Sequence, residues 1–429
     1  MTDLIAPGAT DADGRPDPRP DPGADPGADQ PLRRNKDFLR LWIGAGLSRF
    51  GSTVSMVAYP MLVLWQTGSA TATGAVGFAA TLPDLLVQLP AGALVDRWDR
   101  RRVMLWCDAA RLLAFAAVAV AAAAWHGAVW LPLVLAAAFV EGTLGILYGT
   151  AEQAAVRSVV PVGQLPAALS QNQARGAAVG LLGHPFSGLV FTLVRWLPFA
   201  LTAVLNAVAV VCLLLIRRDL RPARTEPPKR LHVDIKDGLV WLWRRRFLRI
   251  MTGVFAGSNL VFQVLGLTLM VVVKESGGSP TVLGVVSAVG GTGALLGALA
   301  AGWWSARFSL YVTAVLGHLV WLVLMPLLAV QHDAVVIAAV AAVVMFVASV
   351  FTVSGNVYMA RTTPDELQGR VMGTSAFLTS GANALGSLLG GYALAHAGPA
   401  WTGLGIGAVV LLLTLTVALS PTVRAETRG

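Results

Sequence analysis

The chain has 429 residues, 55% of them hydrophobic and only 13% charged, where a soluble domain carries roughly 25% charged residues. With a mean hydropathy of +0.67, this composition excludes an ordinary soluble enzyme. The net charge of +9 would suit a nucleic-acid partner, but the basic residues sit in short loops between apolar runs, which argues against one.

Residues 1–31 are mostly Asp, Pro, Gly and Ala. Such a tail buries too little apolar surface to offset its ordering entropy and is expected to be disordered. Apolar runs then recur along the chain, each long enough to cross a hydrocarbon layer of roughly 30 Å. They are too long and too continuously apolar for barrel strands, so they read as helices. The first set lies at 38–65, 71–95, 102–124, 129–150, 165–194 and 197–216. The second lies at 247–273, 280–303, 308–330, 333–358, 367–396 and 399–420. The fold class expected is therefore an all-α membrane protein of twelve transmembrane helices in two six-helix bundles, residues 32–216 and 247–420.

Residues 217–246 between the sets carry Arg217, Arg218, Arg221, Arg224, Lys229, Arg230 and Arg244 to Arg246, interrupted by Pro222, Pro227 and Pro228. They read as a basic cytoplasmic linker facing the anionic inner leaflet. Residues 421–429 form a short C-terminal tail. With both termini cytoplasmic, 27 of the 32 Lys and Arg fall on inside segments, and only Arg195 and Lys274 fall in outside loops. That asymmetry is what orients helices in a cell membrane. Cys107 and Cys212 lie in apolar runs and are read as small buried residues rather than a disulfide.

The halves share features in register. Gly92-Ala-Leu-Val-Asp96-Arg97 closes span 2, and Gly302-Trp-Trp-Ser-Ala306-Arg307 closes span 8. Arg157 to Pro161 follows span 4, and Arg361 to Pro364 follows span 10. The matches support an internal duplication, the plan of carriers whose halves rock about a central site.

Gly92-Ala-Leu-Val-Asp96-Arg97-Trp98-Asp99-Arg100-Arg101 resembles the loop 2–3 signature of the major facilitator superfamily, with Asp99 where the pattern has Gly. On physical grounds Gly92 lets helix backbones approach closely, and Asp96 can accept from a facing helix N-terminus. The resemblance implies that this partner is helix 11, beginning near Gly369 and Arg370, so that Gly92, Asp96, Arg97, Arg101, Gly369 and Arg370 form a conformational latch. The alternative is that these charges only anchor the inner face. Gly176, Gly180, Pro185 and Gly188 resemble the antiporter motif of exporters, with His184 replacing one Gly. The phrases Arg101-Arg102-Val103-Met104 with Asp108 and Arg111, and Gly369-Arg370-Val371-Met372, are similar to the macrolide-efflux and enterobactin-exporter branch of drug:proton antiporters.

Ionisable residues inside a membrane need a reason. At about 1.5 Å per residue, Arg49, Asp84, Glu141 and Arg175 each fall about 13–18 Å inside. The second half offers Asn259, Gln263, His318, Asn356 and Asn383 instead. The resemblance implies that helices 1, 2, 4 and 5 line the cavity, and these carry the four charges. Asp84 and Glu141 are the expected proton carriers, with Arg49 or Arg175 paired to one of them; the competing reading is a set of structural ion pairs. Asp108 and Arg111 are read as a structural pair on one helix face. Trp65, Trp125, Trp130, Trp196 and Trp401 are read as an interfacial belt. No phosphate loop, metal-ligand spacing or nucleophile elbow is present in the sequence, so no enzyme activity and no cofactor are expected. The reading is a monomeric, proton-gradient-driven exporter of a small hydrophobic drug, antibiotic or natural product. Its alternatives are an importer of the same fold and a non-transporting membrane sensor.

Overall fold

The computed structural model describes residues 32–95, 97–124, 130–216, 220, 243, 245–362 and 365–426. The tail 1–31, nearly all of the linker, Asp96, Trp125, and the side chains of Gly369 and Arg370 lie outside the described residues.

The helices are α1 (Lys36–Thr67), α2 (Ala70–Leu86), α3 (Gln88–Val95), α4 (Arg100–Ala124), α5 (Trp130–Val159), α6 (Leu165–Leu193) and α7 (Leu197–Leu214) in the first half. The second half holds α8 (Arg246–Glu275), α9 (Pro280–Ser305), α10 (Leu310–Val330), α11 (Ala334–Thr362), α12 (Asp365–Ala418) and the short α13 (Pro421–Glu426). Nine helical segments among the described residues are long and apolar enough to cross a membrane by length and composition alone. Three features reconcile nine with twelve. α1 has 32 residues but is diluted by Ser48, Arg49, Ser52, Thr53 and Ser55. Span 2 is split into α2 and α3 at Val87, between Pro83 and Pro90, each of which removes a ladder hydrogen bond. α12 holds two crossings, broken at Gly398 with φ 77° and ψ 173°, a backbone state that glycine reaches without strain.

Capping fixes where several helices begin. Asn35 accepts from the Phe38 N–H at 3.0 Å, and its amide donates 2.9 Å to the Val159 carbonyl. One side chain therefore caps α1 and ties it to the end of α5. Ser69 and Ser309 cap α2 and α10 in the same way.

Helices in lipid gain little from hydrophobicity and associate by close contact of small residues and by hydrogen bonds. In the first half, a Cβ on Gly51 would stand 2.8 Å from Thr202, and the Ser55 hydroxyl donates to Thr202 at 2.8 Å. These contacts press α1 onto α7. Tyr59, Phe115 and Phe199 fill the adjoining core, with Tyr59 5.0 Å from Phe199 between ring centroids. In the second half Trp321 and Phe351 are the centre of the core.

The two halves meet at the end away from Arg97–Arg102. There α2 lies on α12: a Cβ on Gly74 would stand 2.7 Å from the Gly391 Cα. In pseudo-symmetric fashion α6 lies on α9: a Cβ on Gly188 would stand 2.7 Å from the Pro280 carbonyl oxygen and 2.8 Å from the Gly284 Cα. Lys274 at the end of α8 donates across the halves to the Leu64 carbonyl at 2.6 Å, and Thr281 to Thr192 at 2.8 Å. Toward the basic end the halves splay. Gly302 lies eighteen residues, five helical turns, past Gly284 and so on the same face, yet no described atom comes within 4 Å of its Cβ position. No described atom comes within 4 Å of the Gly92 Cβ position either, so the close helix approach expected there is not made among the described residues. The halves form a V whose mouth is the basic end.

Candidate functional site

The charges of the first half gather into two groups. The larger centres on Arg111 of α4, which is buried. Its guanidinium donates to Glu141 of α5 at 2.8 Å and to Ser48 of α1 at 2.9 Å, touches Ser52, and lies 3.5 Å from Asp108. Ser48 donates to Asp108 at 2.7 Å. Asn206 of α7 donates to the Thr202 carbonyl at 2.9 Å, which turns its carbonyl oxygen toward Ser48 at 3.3 Å. The Oδ2 atom of Asp108, the Oε2 atom of Glu141 and the hydroxyls of Tyr59 and Tyr148 are buried without a hydrogen-bond partner among the described residues. Buried polar atoms are nearly always satisfied, so these four leave the network with unused capacity to hold a proton.

One level nearer the basic end, Arg175 of α6 pairs with Glu152 of α5 and donates to the Trp42 carbonyl at 2.9 Å. Its aliphatic stem crosses Gly46, where a Cβ would stand 3.1 Å from Cδ, and its guanidinium lies 5.8 Å from the Trp42 ring centroid. Glu141, Tyr148 and Glu152 lie seven and eleven residues apart on α5 and so share one face.

The smaller group is Asp84 and Arg49. Arg49 is exposed and acts on the partly buried Asp84 through space, but the two do not come within 4 Å. α2 crosses α5 beside them: a Cβ on Gly142 would stand 3.0 Å from Pro83. Asp84 and Glu141 therefore flank one helix crossing.

These contacts revise three expectations. Arg175 pairs with Glu152, not with Asp84 or Glu141. Glu141 takes its cation from Arg111 of span 3, so Asp108 and Arg111 are not an isolated pair. Arg101 donates to the Leu213 and Leu214 carbonyls at 3.1 and 2.7 Å and caps α7 within its own half, while Arg100 reaches the Ala154 carbonyl and Ser158 on α5. Arg97 is exposed. Two other corrections are local. Trp130 is buried rather than part of a belt, whereas Trp196 and Trp401 are 37% and 70% exposed. In the antiporter-like stretch Gly188 is tightly packed, but Gly176 and Gly180 have no described atom within 4 Å. Pro185 sits inside α6 without interrupting it, and His184 uses Nδ1 on the Gly180 carbonyl at 2.7 Å.

In the second half, Gln263 donates to Ser387 at 2.8 Å, where α8 meets α12. Asn259 and Asn356 line a cavity of about 350 Å³ between α8, α11 and α12. Among the described residues no cluster of His, Cys, Asp and Glu is arranged to hold a metal ion.

Two pseudo-symmetric helix bundles, closed at one end and splayed at the other around polar walls, define a multi-pass membrane transporter rather than an enzyme. The Major Facilitator Superfamily model matches residues 41–275 and 258–428, and the chain belongs to that family. It is 30% identical over 383 residues to a protein of Mycolicibacterium fortuitum named multidrug efflux pump Tap, covering 87% of this chain and 93% of that one. A protein of the same name from Mycobacterium tuberculosis (strain ATCC 25618 / H37Rv) is 29% identical over 379 residues, covering 86% of this chain and 87% of that one. Among solved structures the fold is similar to the nucleoside transporter NupG, with a TM-score of 0.75 at 12% identity over 89% of this chain and 98% of that one. It is also similar to a bacterial homologue of the iron transporter ferroportin in its inward-facing state, with a TM-score of 0.68 at 16% identity over 91% and 99% of the two chains.

Proposed function

We propose that this transporter is a proton-coupled exporter of small amphiphilic drugs or natural products, with its basic end and both termini in the cytoplasm. The distribution of Lys and Arg supports that orientation, and the names of the full-length relatives support the direction and the substrate class. The observation that carries the coupling is a charge balance. Away from the helix ends of the first half, the inward-held Asp108, Glu141 and Glu152 stand against Arg111 and Arg175, while the partly buried Asp84 is balanced by the exposed Arg49. Full ionisation leaves one surplus negative charge in a low-dielectric interior, where an uncompensated charge costs several kcal/mol. One bound proton removes it. The hydroxyls of Ser48, Ser52, Tyr59 and Tyr148 supply the donors and acceptors along which that proton can pass.

Alternating access then has a physical form. With the basic end open, substrate enters from the cytoplasm; closure of the V exposes the site to the far side, where a proton arrives and substrate leaves. The latch expected of Gly92, Asp96, Gly369 and Arg370 belongs to that second state. The test is ethidium accumulation in inverted membrane vesicles with an acid interior. Wild type accumulates dye, and Glu141→Gln and Asp108→Asn lose gradient-driven accumulation while still binding it. If both variants accumulate dye like wild type, the coupling assignment fails.

A further inference from the structure

The cavity in the second half is chemically unlike the first-half network. Its described walls, Phe255, Asn259, Thr352, Gly355, Asn356 and Ser375 among them, include no charged side chain. It is reachable, because Thr352 and Asn356 are exposed. Its size, about 350 Å³, suits one ring system with substituents.

One wall is a built aromatic stack. Phe255 lies on Phe351 at 4.4 Å and 15°, and His318 and Trp321 stand edge-on behind Phe351 at 5.4 and 6.0 Å. Gly355 makes the arrangement possible, since a Cβ there would strike the Phe255 ring, with Cε2 only 3.0 Å away. Any side chain at 355 therefore moves the ring that faces the cavity.

Three polar side chains of the lining keep unused hydrogen-bonding atoms. The Ser375 hydroxyl is buried with no partner among the described residues. The Asn259 amide nitrogen donates to the Phe255 carbonyl at 2.8 Å, which leaves its carbonyl oxygen free. The exposed Asn356 amide makes no hydrogen bond with the described residues. An amide with both donors and an acceptor open, a hydroxyl and a flat aromatic wall recognise a ring carrying neutral hydrogen-bonding groups. No described wall carries a charge to pair with an ion, so a neutral ring is desolvated here at less cost than an ionised group.

We infer that this cavity, with Asn356, Ser375 and the Phe255–Phe351 stack held by Gly355, binds the uncharged aromatic portion of the substrate. The inference rests on the transport reading and divides the labour between the halves: proton chemistry in the first, recognition of the neutral body in the second.

The test is equilibrium binding of radiolabelled chloramphenicol, an uncharged nitroaromatic with hydroxyls and an amide, to the purified full-length protein. Asn356→Leu combined with Ser375→Ala, and separately Gly355→Val, weaken binding tenfold or more. Leu113→Ala, at an exposed position of the first half, changes it less than twofold. Thermal unfolding checks that each variant is folded, and exposed Asn356 gives a variant that leaves the helix contacts intact. Absence of binding to wild type overturns the assignment. Undiminished binding to folded Asn356→Leu/Ser375→Ala, or its loss in folded Leu113→Ala, does the same. Binding that follows this pattern in protein that moves no solute across sealed vesicles leaves the cavity assigned and removes the transport reading instead.

Discussion

Gly188 of α6 lies in the α6–α9 seam and Gly302 lies on α9 beyond it, so alanine should shift the conformation only at Gly188. At Gly188 the new Cβ meets only backbone, the Pro280 carbonyl oxygen at 2.7 Å and the Gly284 N and Cα at 2.8 Å. No rotamer change relieves such contacts, so the far end must part. Overpacking of this kind costs about 1–3 kcal/mol, charged to the state closed at that end. A cost of that size lowers the population of that state relative to its alternative by roughly 5- to 150-fold. At Gly302 nothing described lies within 4 Å; alanine there gains at most about 1 kcal/mol of helix propensity, shared by both states. Spin labels at Val162→Cys and Ala306→Cys, both exposed at the basic end, read the separation of the halves in a background with Cys107 and Cys212 replaced by alanine. Gly188→Ala should move the distance distribution to shorter values as the basic end closes, and Gly302→Ala should leave it unchanged. Equal distributions for wild type and Gly188→Ala would refute the rocking geometry derived from the seam.

Other outcomes follow from single contacts. Lys274→Met removes the charged donor to Leu64 across the halves, a bond worth about 1.5–3 kcal/mol; a cysteine placed at Gly68 should then react faster with an impermeant maleimide applied from the far side. Arg111→Met leaves Asp108 and Glu141 without their cation, which costs about 3–5 kcal/mol when a buried pair is broken. Its thermal unfolding midpoint in detergent should fall well below that of wild type, and adding Glu141→Gln should restore part of the loss. Arg101→Ala frees the last carbonyls of α7 and should cost about 1–2 kcal/mol. Arg97→Ala, exposed, should change stability by less than about 0.5 kcal/mol, and the two midpoints measured side by side check the contrast.

Much of the architecture is legible in the sequence because lipid leaves the backbone few choices. Hydrophobic run length places most of the crossings, and the break at Gly398–Pro399 is visible as a Gly-Pro step. The pairing of the charges is less legible. Depth along a helix says that Glu141 and Arg175 are inside, but partners depend on helix rotation and on which helices are neighbours. Glu152 lies past the apolar run, which closes near residue 150, although α5 runs to Val159. The signal was present, since Glu152 lies eleven residues after Glu141 and so on the same face. Arg101 illustrates a different limit. A basic cluster reads as one functional unit, but each guanidinium caps whichever carbonyls the neighbouring helix end presents. The aromatic stack over Gly355 could not be read at all, because nothing in a single chain distinguishes that glycine from the others in its helix.

The central claim is that the first half holds one acid too many and keeps a proton until substrate takes its place. Ethidium added to the purified wild-type protein in weakly buffered detergent solution, with a pH electrode reading the proton count, tests it most directly. About one proton released per ethidium bound is the expected result, with release lost in Glu141→Gln. Saturable binding to wild type with no proton release would contradict the account.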